Sequence, residues 1–187
     1  MNPNQIIDQA KKSMQTAAEH FEVELKKLRT GRASASMLDG VTAEAYGQPM
    51  PLNQLATVTA PEAQLIQITP FDPTNLQAIA AAIRNNPSLG LNPTDDGRIV
   101  RVSVPPLTED RRKQIVRQLS EKVEDTMVRL RNARHEALKA ADTAKKDKDI
   151  GEDEAKRIEK QVDEVMNIQR GAIDQLAKAK ETEIMTV

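Results

Sequence analysis

Apolar side chains recur at Ile7, Ala10, Met14, Ala17, Phe21, Leu25 and Leu28, the steps of three and four residues that keep one face of an α-helix out of water. The spacing predicts a helix over residues 3–29. Asn2 is placed to cap it, with Pro3 in the first helical position, and Thr30-Gly31 supplies a stop.

The pattern then changes. Residues 33–104 hold seven of the ten prolines and four of the seven glycines, and alternation replaces helical periodicity. Val41, Ala43 and Ala45 alternate with Thr42, Glu44 and Tyr46, while Val100, Val102 and Val104 alternate with Ile99, Arg101 and Ser103. Period two is the mark of half-buried strands. A further strand is expected over 64–69. Asp72-Pro73 reads as a cap and first-turn proline for a short helix with the stripe Leu76, Ile79, Ala80 and Ile83, ending before Asn86-Pro87. One helix should therefore pack on a small sheet.

After Pro105-Pro106 the helical period returns. Val116, Leu119, Val123, Met127, Leu130, Ala137 and Ala141 share one arc of a helix of roughly 35 residues, about 50 Å long at 1.5 Å per residue. Thr108 is its expected cap, and Glu109 and Asp110 fall in the first turn, where carboxylates suit the positive end of the helix dipole. The polar run KKDKDIGED ends it. In the third helix Ala155, Ile158, Val162, Val165, Gln169, Ala172, Leu176 and Ala179 alternate steps of three and four, a coiled-coil-like seam.

Connection lengths set the topology. The insert leaves the end of the first helix and returns at the start of the second, so these two helices are antiparallel; the short third connection makes the second and third antiparallel too. The expected fold class is α+β: an elongated three-helix bundle domain (1–30 and 106–187), with crossing angles of about 20°, interrupted by a small domain (31–105). The crossings, Thr30-Gly31 and Val104-Pro105-Pro106, are built from backbone-determining residues and read as a double hinge at Gly31 and Pro105-Pro106.

Composition narrows the chemistry. The absence of cysteine excludes disulfides, thiolate nucleophiles and Cys-ligated metals. With no apolar run of signal-peptide or membrane-span length, a soluble cytoplasmic protein is the expectation. The net charge of −1 hides an uneven distribution. Residues 1–32 carry 6 basic against 4 acidic side chains and residues 107–139 carry 9 against 6; residues 33–104 carry 3 against 6 and 140–187 carry 9 against 12. A polyanion would meet the two positive stretches.

On a helical wheel Lys113, Arg117 and Arg131 fall within about 40° of one another and Arg134 about 60° to one side, while Arg129 points elsewhere and Glu124 interrupts the stripe. These arginines suit phosphate. Only Tyr46, Phe21 and Phe71 are aromatic, so base-stacking platforms are not expected; recognition would rest on arginine forks and RNA shape. Ordinary solvated charge is the competing explanation of such a face.

No enzyme motif is present. GxxxxGK[ST] and GxGxxG are missing, His135-Glu136 opens like a zinc motif but has Lys139 where the second ligand belongs, and Asp95-Asp96-Gly97 reads as a tight turn. No catalytic, cofactor or metal residues are assigned.

The blocks KLRTGRAS (27–34), LDG (38–40) followed by YGQPMPLNQLA, SLGLNP (88–93), IVRVSVPPLTEDRRK (99–113) and VRLRNARHEALK (128–139) resemble the ribosome recycling factor family in order and spacing over most of the chain. The resemblance implies an L-shaped molecule with a β/α/β sandwich inserted in the bundle. It also implies a monomeric, non-enzymatic translation factor that contacts large-subunit ribosomal RNA at the subunit interface. Acting with elongation factor G and GTP, such a factor splits the post-termination ribosome. Matched residue by residue, the RNA-gripping arginines are Arg131 and Arg134, with Arg29 and Arg32 near the hinge and Arg129 as a lesser candidate; Arg111 and Arg112 match the TEDRRK block. Two positions depart from the family pattern: His135 follows Arg134 where a second basic residue is common, and Gly151 stands where a serine would cap the third helix. The alternative from another class is a coiled-coil-like scaffold or adaptor that receives partner helices.

Overall fold

A computed structural model describes residues 2–186. Residues 1 and 187, the outer limits of the expected helical domain, lie outside the described residues. In chain order the helices are α1 (Pro3–Lys27), α2 (Leu52–Leu55), α3 (Leu76–Arg84), α4 (Glu109–Lys146) and α5 (Glu152–Met185). The strands are β1 (Thr42–Ala45), β2 (Gln48–Pro51), β3 (Ala56–Glu62), β4 (Leu65–Pro70), β5 (Pro93–Asp95) and β6 (Val100–Ser103). Two compact units result, one from α1, α4 and α5, the other spanning Arg29–Glu109.

In the helical unit, α1 starts with a reciprocal cap. Asn2 Oδ1 accepts the Asn4 N–H at 3.0 Å and Gln5 Oε1 accepts the Asn2 N–H at 3.2 Å, which satisfies two of the donors a helix start leaves open. The helix ends two residues before the predicted limit because Leu28 turns extended, with its N–H bonded to the Leu25 carbonyl. Gly31, at φ +82°, belongs to the connection that follows. Lys122 in the first half of α4 meets Glu24 near the end of α1, while Ile6 and Ala10 near the start of α1 lie beside Ala133 and Ala137 farther along α4, so these two run antiparallel. Arg112 at the start of α4 donates from Nη1 to the Met185 carbonyl at the end of α5, so those two are antiparallel as well. Arg157 of α5 reaches Asn4 of α1, which makes α1 and α5 parallel.

The two long helices solve the seam differently. α4 is 38 residues, about 57 Å, and buries two heptad-spaced columns, Arg112-Leu119-Thr126-Ala133 and Leu130-Ala137-Ala144. Val116, Val123 and Met127, expected in the seam, are only half-buried beside it. In α5 the buried column is Val162, Ile173 and Ile184, with Ile158, Gln169 and Lys180 alongside, an 11-residue repeat. A straight α-helix drifts about 20° per heptad from a 3.5-residue repeat, so a strict heptad column falls off the core within three heptads, whereas 11 residues complete three turns. The predicted Ala172, Leu176 and Ala179 are accordingly exposed. Gly151 caps α5 through its backbone, its carbonyl accepting from Ala155 N–H, and Glu152, Asp153 and Glu154 fill the first turn.

The second unit holds an antiparallel sheet ordered β3-β4-β6-β5 and a ribbon, β1-β2. α3 packs against β1 of the ribbon and against β5 and β6 of the sheet. Ile66 and Ile68 of β4, Val100 and Val102 of β6, Ala43 and Ala45 of β1, and Ile79 and Ile83 of α3 close the core between them. The alternation of β1 and β6 appears as predicted. Four elements had no such signal: β3, with one fully buried residue in seven; β2, with two prolines; three-residue β5; and single-turn α2. Pairing, not patterning, makes these strands. Asp72 caps a 3₁₀ turn (Pro73–Asn75) ahead of α3, not α3 itself. Asp95-Asp96-Gly97 forms the tight β5-β6 turn, with Asp96 accepting the N–H groups of Arg98 and Ile99. Those backbone donors, foremost that of Ile99, hold its carboxyl below the usual range.

Candidate nucleic-acid interface

α4 distributes the cations over three directions. Lys113, Arg117 and Arg131 lie on the exposed outer face, opposite the buried columns. Arg131 shares that face with Glu124, its Nη2 standing 2.6 Å from Oε1, and the Arg131 side chain is 56% exposed. An exposed pair of this kind holds little energy, about 0–1 kcal/mol, so Glu124 orients Arg131 without sequestering it.

Arg134 faces α5. Nε donates to Asp163 Oδ1 at 2.5 Å, Nη2 donates to Oδ2 at 3.3 Å, and Glu159 Oε1 lies 3.7 Å from Nη2. Donation to the Asp163 carboxylate raises the Arg134 pKa further and keeps the group charged. Nothing in the sequence marks Asp163 or Glu159 as its partners, because the contact joins residues 29 apart on two helices.

Arg129 is on the opposite flank. It lines an open groove between α1 and α4 together with Asp8, Lys12, Ser13, Thr16 and His20. The structure thus separates Arg129 from Arg131 and Arg134, as their helical phases require.

The residues near the connections are tied into the second unit. Arg29 donates from Nη2 to the Leu89 carbonyl at 3.0 Å, whereas Arg32 is exposed. Ala33 N–H donates to Ala63 and Val104 N–H donates to Gln64, so both ends of the insert hang on one β3-β4 turn. Val104 is buried, while Pro105 and Pro106 are exposed. Thr30 and Gly31 precede the first tie, and a Cβ on Gly31 would stand 3.3 Å from Leu107 Cγ.

Arg112, prominent in the TEDRRK block, is only 8% exposed. It serves the negative C-terminal end of α5 through Met185, and its Nε has no partner among the described residues. Among the described residues no cluster of three or more His, Asp or Glu could hold a metal, and no helix is long and apolar enough to cross a membrane.

The chain matches the family description "Ribosome recycling factor" over residues 21–185. It is 42% identical over 184 residues to the ribosome-recycling factor of Lacticaseibacillus casei (strain BL23), covering 98% of this chain and 99% of that one. A structure described as the solution structure of the ribosome recycling factor superposes with a TM-score of 0.79 at 38% identity, covering 100% of this chain and 99% of the other. A second, from models for the T. thermophilus ribosome recycling factor and E. coli elongation factor G bound to the E. coli post-termination complex, gives a TM-score of 0.67 at 38% identity over the whole of both chains.

Proposed function

The chain belongs to the ribosome recycling factor family, and we propose that it binds the post-termination ribosome and, with elongation factor G and GTP, promotes its separation into subunits. The family is one of non-enzymatic translation factors. This factor would act by mechanical coupling, with no chemistry of its own.

The observation that carries the molecular reading is the outer face of α4. A stiff helix of 38 residues presents Lys113, Arg117 and Arg131 away from its own core, and Arg134 beside them at the α5 edge. Guanidinium forks suit phosphate oxygens, and rigid spacing suits a folded RNA whose phosphates have fixed positions. The helical domain (1–30 and 106–187) anchors on large-subunit ribosomal RNA through these groups, with Arg32, Arg129 and Arg29 as supporting contacts. The insert (31–105) is the moving part, pivoting at Thr30-Gly31 and Pro105-Pro106, with Val104 as the last residue tied into it. Elongation factor G drives that movement.

The scaffold alternative gains nothing here. The apolar side chains that anchor α5, Ile158, Val162, Ile173 and Ile184, are fully buried within the chain and so are not available to a partner helix.

The test is a subunit-splitting assay on purified post-termination ribosomes. Splitting should require this protein, elongation factor G and GTP together. Intact ribosomes with all three present would overturn the reading.

A further inference from the structure

Arg134 is held by both oxygens of one carboxylate, whereas Arg131 meets Glu124 through Nη2. A carboxylate that merely neutralised it could sit across the two terminal nitrogens, the fork with which a guanidinium grips a phosphate. Asp163 instead takes the side edge, Nε at 2.5 Å and Nη2 at 3.3 Å. Nη1 makes no protein hydrogen bond among the described residues, and the Arg134 side chain remains 35% exposed. Glu159, one turn earlier on α5, adds a weaker contact at 3.7 Å to the same Nη2.

We propose that Asp163 is a positioning residue for RNA binding: from α5 it fixes the Arg134 guanidinium by its Nε–Nη2 edge, so that the terminal fork is presented to a phosphate in one orientation. The inference rests on the proposed ribosome binding and adds a residue of net-acidic α5 to it. An arginine has about 2 kcal/mol of rotamer entropy to lose on immobilisation, and a bidentate partner within the protein removes much of that loss before RNA arrives.

Coulomb's law alone predicts the reverse. Two carboxylates beside one guanidinium leave a local excess of one negative charge, and removing Asp163 makes the site more attractive to an anion. The two effects have opposite signs, so one variant decides between them.

The experiment compares equilibrium binding to purified ribosomes for the parent, Asp163→Asn, Arg134→Ala and the double variant over a salt series. Asp163→Asn should weaken binding roughly three- to ten-fold, the range associated with freezing one long side chain, although it adds a positive charge overall. The slope of log affinity against log salt should fall by up to about one, as one phosphate contact is lost. In the Arg134→Ala background the same change should weaken binding no further. A merely structural role would lower the unfolding temperature and leave affinity, slope and coupling untouched. Unchanged or tighter binding by Asp163→Asn overturns the proposal, as does an equal loss in the Arg134→Ala background. If Asp163→Asn fails to fold, Asp163→Glu keeps the charge while displacing the carboxylate, and binding as tight as the parent's then overturns it. A parent that does not bind ribosomes refutes the functional reading; a parent that binds while Asp163→Asn is indifferent refutes only this inference.

Discussion

The register of α5 gives a sharp prediction, because two residues three positions apart exchange roles between the heptad expectation and the observed 11-residue repeat. Ile173 is 0% exposed and Leu176 is 38% exposed. Replacing Ile173 with alanine deletes three buried carbons, about 2.4 kcal/mol of transfer free energy at about 0.8 kcal/mol each, and leaves an enclosed void, for a total of about 3 kcal/mol. Leu176→Ala deletes the same number of carbons from a site already partly wet, where water fills the gap, so about 1 kcal/mol is expected. Both variants gain slightly in helix propensity, which leaves the contrast intact. Urea unfolding followed by far-UV circular dichroism reads the helical unit, since α1, α4 and α5 contribute nearly all the helix. With a slope of about 2 kcal/mol per molar, the Ile173→Ala midpoint should drop by about 1.5 M and that of Leu176→Ala by about 0.5 M. Equal shifts, or a larger one for Leu176→Ala, would refute the 11-residue seam.

Arg131→Ala should weaken ribosome binding and lower the salt slope by about one at unchanged unfolding temperature; adding Arg134→Ala should weaken it further and also cost up to about 1 kcal/mol of stability, because that side chain joins α4 to α5. Gly31→Ala should destabilise the insert by about 1–2 kcal/mol, read by fluorescence of the lone tyrosine, Tyr46. Gly40→Ala, at φ +80° with nothing within 4 Å, should show the backbone share alone, and Leu107→Ala should recover the remainder in the Gly31→Ala background; complete recovery would show that backbone strain is not the main cost. For pH, Lys122 and then Lys27 pull the Glu24 carboxyl from 4.5 to about 2. A depressed folded pKa contributes stability that is fully present above the unfolded value and lost as pH falls through the folded one. The helical unit should therefore lose stability between about pH 5 and 2, and Glu24→Gln should flatten that part of the curve; an unchanged pH profile would refute the role of this ion pair.

Much of the fold and the exposure of part of the candidate site were legible along the chain. Periodicity located α1, α4 and α5, and alternation located β1 and β6, because each of these elements buries one face and so needs apolar residues at its own repeat. The exposed positions of Lys113, Arg117 and Arg131 followed from helical phase alone. So did the separate direction of Arg129.

The tertiary structure decided what depends on a second element. β2, β3 and β5 are strands because neighbours supply their hydrogen bonds, and backbone pairing leaves no mark on side-chain hydropathy. The seam of α5 follows 11 residues, and not seven, because the core it must face is set by the helices beside it. Arg134 reads as one more surface cation until α5 brings Asp163 to its side edge, and Arg112 reads as another until the end of α5 covers it. A sequence states which face of each element avoids water; which charge meets which across two faces is settled only when those elements come together.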